Sequence, residues 1–456
     1  MSDLATVPGL RPVWLDDKTK SIMDRAIARE QSLSRLLMTF IVTGLIFMLL
    51  PGTFLGVWNL IGISQHRALS GLSPAWLQAH GQAQIFGWIG SFILGLGFYS
   101  LTKMQNTLSF PVRAAWTAWI LWTVGIAMRW TGGVTGWHWR ILLPLSGALQ
   151  LIACLLFYRA VRRHRPADPE RRPEAWMVVV IAATIAFLVT VAANCAASTY
   201  LALYGNSPAL PHVLDLQLVV LAVWGVLVPT IWGFNARWLP VFAGFQKPDG
   251  ARLQLAYGLS VAGVVAVFLQ WQPIAAVLFL VAAFLAIHAL HVWQPAVQPA
   301  KLLHVARTFP LFIRVAYVWL VVSCLLDALA VRYDYAGGIW GASRHALTVG
   351  FVAGMVFVIG QRVLPAFCGM RILWSTRLMF WSLLLLNLGC ALRITLEPLA
   401  YEGYWNFAWK LLPYSAVVEL TAVVLFAANI IGTLLRPPAH LRPAMRMPSA
   451  AQGTVA

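Results

Sequence analysis

The sequence predicts an all-α membrane protein, a polytopic bundle of about twelve transmembrane helices. Of its 456 residues, 60% are hydrophobic and only 11% are charged, and the mean hydropathy is +0.75. A soluble chain of this length needs more charge to cover its surface. The apolar residues also lie in runs of about 20, the length that crosses the core of a bilayer. Both observations indicate a protein that spans the membrane many times.

Twelve predicted spans follow one another along the chain. Residues 1–32 form a predicted cytoplasmic N-terminal segment, residues 33–434 the membrane domain and residues 435–456 a cytoplasmic tail. The N-terminal segment is either a short amphipathic helix on the membrane surface or a solvated tail. The seventh and eighth spans share a tight turn at Gln272-Pro273. The spans are residues 33–58, 77–101, 111–130, 139–160, 175–201, 213–234, 252–271, 274–293, 311–332, 344–366, 374–396 and 410–434.

Basic residues are distributed unevenly between the two predicted faces of the membrane. The chain has 33 Lys and Arg against 15 Asp and Glu. With the N-terminus inside, 26 of the basic residues fall on the cytoplasmic side and seven on the outer side. This positive-inside pattern predicts that both ends are cytoplasmic. We expect the net charge of +18 to face anionic lipids of the bilayer, and nucleic acid is not an expected partner.

One motif occurs twice. The pattern R-x-L-P-x-F-x-G is present within residues 229–245 and again within residues 354–370, so that Arg237 and Arg362 are 125 residues apart. A shared helix-stop explains it, because proline ends a helix and glycine permits the turn. An ancient duplication or a repeated arginine site are the alternatives. Val220 stands 125 residues before His345, so that histidine is not repeated.

His80 and His345 are the predicted axial ligands of a haem b. Each lies shortly inside the predicted outer end of its span, and both spans run from outside to inside. Their side chains are therefore expected at similar depth, as two imidazoles on opposite faces of one haem require. Gln84 and Gly87 continue the helical face of His80, and the small side chains of this face leave space for a flat cofactor. The alternative for any single histidine is a structural, interfacial role.

Other polar side chains complete the set of candidate site residues. Haem propionates need cations at the outer surface, where Arg393 is the first choice and Arg344 another. A copper site is a second expectation, because histidine suits copper and three histidines lie near the outer loops. Asp327 and Glu419 are intramembrane acids, and Glu419 near the middle of the last span is a candidate proton relay. The histidines considered for metal binding are His66, His80, His138, His212 and His345.

Two of these regions resemble the NnrS family, membrane proteins of about twelve spans that bind haem and copper and are associated with nitric-oxide stress. His80 is followed six and seven residues later by Phe86 and Gly87. The sequence HALTVG at 345–350 is followed by Arg362. The family in turn is distantly similar to the main subunit of the haem–copper oxidases. The resemblance implies that the chain has this oxidase-like helical bundle, with His80 and His345 as counterparts of the ligands of the low-spin haem.

The sequence also departs from the family pattern W-H-x-H-E-M-x-F-G. Ala79 stands at the tryptophan, Gln82 at the second histidine and Ala83 at the glutamate, and Phe367 replaces a later histidine. The adjacent histidine pair of the oxidase subunit is missing, because residues 257–271 contain no histidine. These departures count against a copper-containing centre that reduces oxygen or nitric oxide.

The leading hypothesis is a haem-binding protein of the bacterial inner membrane, linked to nitric-oxide response or respiratory metabolism and served by a redox partner. Whether it is an enzyme stays open. A secondary transporter that uses Glu419 is one alternative, supported by the repeated motif and the many Gly and Pro residues. A haem-free membrane assembly factor is the other.

Overall fold

The computed structural model describes residues 17–68, 71–104, 112–163 and 173–437, and these ranges contain helices and no β-strand. Twelve long helices follow the predicted order. They are α1 (Ala28–His66), α2 (Pro74–Ser100), α3 (Val112–Thr135), α4 (Trp139–Arg163), α5 (Ala175–Tyr204), α6 (His212–Phe242), α7 (Gly250–Phe268), α8 (Gln272–Ala289), α9 (Phe309–Tyr333), α10 (Gly338–Phe367), α11 (Thr376–Tyr401) and α12 (Ala408–Leu435).

Eleven of these helices, all except α3, are long and apolar enough to cross a membrane. Helix α3 has 24 residues, or about 36 Å of rise, which exceeds the bilayer core of about 30 Å. Its four tryptophans and two arginines lower its mean hydropathy. The predicted fold class, an all-α polytopic membrane bundle, is confirmed.

The predicted boundaries differ from the observed ones mainly at the ends of helices. Helix α7 ends at Phe268 and α8 begins at Gln272, so the predicted turn is present, with a proline in the first turn of α8. The helix that contains α1 begins at Asp17, and the charged segment 17–32 therefore continues directly into the first span. Residues 1–16 and 438–456, which belong to the predicted N-terminal segment and tail, lie outside the described residues.

Helices that are adjacent in sequence pack against one another, and α1 also contacts α12, which closes the bundle. Helices α2 and α10 are the most enclosed of the eleven apolar helices. In each, 72% of the most apolar window is buried, against 28% in α5. The two helices that carry His80 and His345 therefore lie in the interior, where a side chain meets other helices and not lipid.

Four helices contain a π-helical segment, in which the backbone hydrogen bonds span one residue more than in an α-helix. The segments are Met48–Phe54 in α1, Ala83–Gly90 in α2, Val223–Leu227 in α6 and Ala346–Ala353 in α10. In α1 the segment contains Pro51, which lacks the N–H that an α-helical bond requires. Such segments are rare and often mark functional sites.

The repeated motif lies at equivalent ends of α6 and α10. Gly244 follows α6 with φ +72°, and Gly369 follows α10 with φ +92°, a left-handed conformation that favours glycine. Pro240 and Pro365 lie inside the last turn, and each helix continues for two residues beyond its proline. The two copies therefore share one helix-stop geometry, and the stop is set by the glycine and not by the proline.

Candidate cofactor site

A cavity of about 910 Å³ opens at one end of the bundle. We call this the histidine end; α2, α6 and α10 begin there, and α1, α5, α9 and α11 end there. All four π-helical segments contribute to the cavity wall, through residues such as Thr53, Ile85, Trp224 and Leu347. The volume is at the upper end of the range for small-molecule and cofactor sites, about 300–1,000 Å³.

His80 lies on α2 three residues before the π-helical segment, and it lines the cavity. Its Nδ1 is 2.9 Å from the carbonyl oxygen of Gly52 on α1. A carbonyl only accepts, so Nδ1 carries the proton and the Nε2 lone pair remains free. The ring also needs Gly56, because a Cβ there would stand 2.6 Å from the His80 Cε1. Gly56 thus lets the imidazole approach the backbone of α1 closely.

His345 has the same arrangement on α10. It directly precedes the π-helical segment and lines the same cavity, and its Nδ1 is 3.2 Å from the carbonyl oxygen of Gly341. The same Nδ1 is 3.7 Å from Oε2 of Glu397 on α11. A histidine that binds a metal through one nitrogen commonly donates its other N–H to a carbonyl or a carboxylate. Both groups stand beside Nδ1 of His345, which leaves Nε2 free.

The two histidines lie at nearly the same offset from the starts of their helices. His80 is six residues after Pro74, where α2 begins, and His345 is seven residues after Gly338, where α10 begins. One residue of helix corresponds to about 1.5 Å of rise. Both rings line the same cavity. The structure therefore brings together the two imidazoles on which the sequence-based haem hypothesis depends.

A buried ion pair lies next to His345 and holds a carboxylate beside its ring. Arg393 donates from Nε to Glu397 Oε2 at 3.0 Å and from Nη2 to Glu397 Oε1 at 3.1 Å, an i, i+4 pair on α11. Both side chains are at least nine-tenths buried and line the cavity. Sequence reasoning did not identify Glu397, although an arginine and a glutamate four residues apart in an apolar span are a recognisable signal. The pair fixes the carboxylate beside the His345 ring.

Arg393 and Arg344 differ in their availability for an anionic group. Arg393 is already engaged by the carboxylate of Glu397. Arg344 is exposed at the histidine end, lines the cavity, and donates from Nε to the Trp340 carbonyl at 3.3 Å. Of the two arginines proposed from sequence, Arg344 is thus the one whose guanidinium is not held by a carboxylate.

The predicted small-residue face of α2 is divided between two roles. Gln84 lines the cavity and donates from Nε2 to Thr53 Oγ1 at 2.9 Å, which links α2 to the π-helical segment of α1. Gly87 instead packs against α1, where a Cβ at its position would be 2.9 Å from the Phe47 Cβ. Because the π-helical segment changes the register of the side chains, residues spaced for one α-helical face separate here. Ser91, farther along, accepts from Trp122 Nε1 at 3.2 Å and serves packing.

The three histidines of the outer loops are not brought together. His212 lines the cavity at the start of α6. His66, at the end of α1, has Nδ1 2.8 Å from the Gly62 carbonyl, and the ring of His138 lies 4.7 Å from the ring of Trp137. Within residues 17–68, 71–104, 112–163 and 173–437, no three His, Cys, Asp or Glu side chains form a group that could hold a metal ion.

Two intramembrane acids also line the cavity, Asp327 on α9 and Glu419 on α12. In the part of the chain that is described, the Oε1 atom of Glu419 is enclosed and has no hydrogen-bond partner. Gly389 makes room for this side chain, because a Cβ there would be 2.5 Å from the Glu419 Cγ. An enclosed carboxyl oxygen without a partner is costly, which marks Glu419 as a functional candidate.

The sequence matches the profile of one known protein family. The profile of the family described as NnrS protein matches residues 38–437, nearly the whole chain and all twelve helices. No curated protein matches the sequence. The matched range begins within α1 and ends just after α12, so it contains the complete cavity wall. The chain therefore belongs to the NnrS family.

Proposed function

We propose that this chain is a haem b-binding protein of the bacterial inner membrane, with both termini cytoplasmic and a role in the response to nitric oxide or in respiratory metabolism. His80 and His345 are the axial ligands in this proposal. The observation that carries it is the pair of imidazoles in one cavity, each with Nδ1 beside a backbone carbonyl and at a similar offset from the start of its helix. A bound haem supplies one-electron redox chemistry at its iron.

The residues present fit such a group. Both Nε2 lone pairs are free for iron. Glycines at 56 and 341 let the His80 ring and the Glu397 carboxylate lie close to the helix backbones. Arg344 offers a guanidinium to a propionate at the histidine end. The apolar wall, with Trp88, Leu386 and Val423 among its residues, suits a flat hydrophobic ring system. Copper binding stays a prediction without a group of ligands to support it.

If His80 and His345 both held the iron of a haem, no coordination position would remain open to a gas. The proposal therefore favours electron transfer, with a separate redox partner, over turnover of nitric oxide at the iron. Exchange of one histidine for a gas is the route by which the same site would sense it.

The test is a reduced-minus-oxidised absorption spectrum of the purified wild-type protein and of three variants. We expect haem bands in the wild type, and their loss or displacement in His80→Ala and in His345→Ala. His66→Ala is the matched control, because His66 is held by the Gly62 carbonyl of its own helix and is not among the residues of the cavity wall. The proposal is rejected by a wild type without haem bands, or by bands that stay unchanged in both His80→Ala and His345→Ala.

A secondary transporter is the second candidate, and the enclosed carboxyl group of Glu419 favours it. Against it, the equivalent helices α6 and α10 both begin at the histidine end, so they are not an inverted repeat of the kind common in transporters. Solute uptake by proteoliposomes that Glu419→Gln abolishes would support this candidate, and haem in stoichiometric amount with no uptake would reject it.

A further inference from the structure

Glu419 lines the cavity, and in the described part of the chain its carboxylate oxygen Oε1 is enclosed and has no hydrogen-bond partner. It lies near the middle of α12, eleven residues after Ala408, where that helix begins. Glycine at position 389 of α11 gives it the space to lie against its neighbour. An enclosed carboxyl oxygen without a hydrogen bond is costly in an apolar span, and an apolar side chain would serve packing better.

The charged and titratable groups that face Glu419 come mainly from α11. They are Arg393, Glu397 and the thiol of Cys390. Helix α1 and the last part of α10 also pack on α12. Among the described residues of the cavity wall, these two segments contribute no carboxylate and no amine. The imidazoles of His80 and His345 line the same cavity. Arg393 is already paired with Glu397. The other guanidinium of the cavity wall, that of Arg344, lies exposed at the histidine end, where the proposed function assigns it to a propionate.

We propose that Glu419 is a proton-binding site coupled to the redox state of the haem. The inference rests on the proposed haem site. With one electron supplied to a haem held in this cavity by an external one-electron donor, the Glu419 carboxylate would take up one proton from the aqueous phase and become the neutral acid. The charge inside the cavity is then the same before and after reduction, which avoids the cost of an added buried charge. On oxidation, both the electron and the proton leave.

The experiment measures the midpoint potential of the haem across the neutral pH range by spectroelectrochemistry, with dithionite as the reductant. If one proton accompanies one electron, the potential of the wild type falls by up to about 59 mV for each tenfold decrease in proton concentration. We expect Glu419→Gln to remove most of this dependence, because the amide keeps the shape of the side chain but cannot take up the proton.

Asp249→Asn is the control. Asp249 caps α7 through the backbone N–H of Arg252, and asparagine caps a helix equally well, so the pH dependence should stay that of the wild type. A pH-independent potential in the wild type overturns the inference, as does a Glu419→Gln variant that keeps the full slope. Either result leaves the proposed haem function standing, whereas a wild type without haem overturns that function as well.

A measurement on the wild type alone covers the case in which Glu419→Gln does not fold. The infrared difference spectrum between reduced and oxidised protein should gain, on reduction, the carbonyl stretch of a protonated carboxylic acid, which shifts in heavy water. Absence of that band contradicts the inference.

Discussion

Helices α6 and α10 share one backbone design at a spacing of 125 residues. Val213–Phe242 corresponds to Gly338–Phe367, and each helix has a π-helical segment at the same place, Val223–Leu227 in α6 and Ala346–Ala353 in α10. Both also end at a left-handed glycine. Both helices line the cavity. The backbone features that shape the cavity are therefore present twice.

The candidate haem-ligating histidine is present in only one of the two helices. Val220 in α6 occupies the position of His345 in α10, and Trp224 of α6 stacks on Phe279 at 4.3 Å in an apolar wall. The partner helices differ as well, because α11 has 26 residues and α7 only 19, a difference of about two turns. The extra length of α11 carries Glu397. The comparison teaches that a repeated backbone makes the space, and that a few added side chains in one copy make the site.

The largest expected effect on haem binding comes from giving α10 the valine that α6 has at the equivalent position. We expect His345→Val to reduce the haem content of the purified protein to background, because one axial ligand is lost and valine offers none. Val220→Ala, at the equivalent position of α6, should keep the haem content of the wild type. The measurement is haem per protein. Equal content in both variants would mean that the two helices do not differ in function.

The next largest effect concerns the Arg393–Glu397 ion pair of α11, which has no counterpart in α7. Glu397→Gln leaves Arg393 buried without its counter-ion, which we expect to cost about 3–5 kcal/mol of stability. The haem affinity should also fall by about 10- to 100-fold, as for the loss of a group that orients a metal ligand.

A double variant separates these two consequences. Arg393→Met combined with Glu397→Gln removes both charges, so much of the stability should return while the haem affinity stays low. Thermal unfolding and haem titration in detergent measure the two quantities. Haem affinity that recovers together with the stability would show that Glu397 has no part in positioning His345.

Much of the fold was predictable from the sequence, because span length and charge distribution are local signals. The predicted span 139–160 corresponds to Trp139–Arg163, and the span 410–434 to Ala408–Leu435. The packing of Gly87 against α1, away from the cavity, was not predictable. A π-helical segment changes which residues share a helix face, and the amino-acid composition does not reveal such a segment. The pairing of Glu397 with both Arg393 and His345 also depends on how α10 packs against α11, which periodicity does not reveal.

A smaller effect is expected from the close approach of α10 to α11. A Cβ at position 341 would overlap Oε1 of Glu397, so Gly341→Ala must displace that carboxylate. We expect a loss of about 1–3 kcal/mol, the usual cost of overpacking. Gly354→Ala in the same helix is the control, because the nearest atom to its Cβ would be at an ordinary 3.6 Å. Similar unfolding temperatures for the two variants would contradict this account of the site.

The smallest effect distinguishes a shared helix-stop from a repeated arginine site at the other ends of α6 and α10. The guanidinium of Arg237 lies 5.9 Å from the ring of Trp176, and that of Arg362 lies 4.9 Å from the ring of Phe242. Lysine keeps the charge, so Arg237→Lys and Arg362→Lys should each cost less than about 1 kcal/mol and leave the haem content unchanged. Gly244→Ala and Gly369→Ala, which strain the left-handed turns, should cost more than either lysine variant. If the lysine variants instead lose haem while the alanine variants are tolerated, the motif is conserved between the two helices for its arginine and not for its turn.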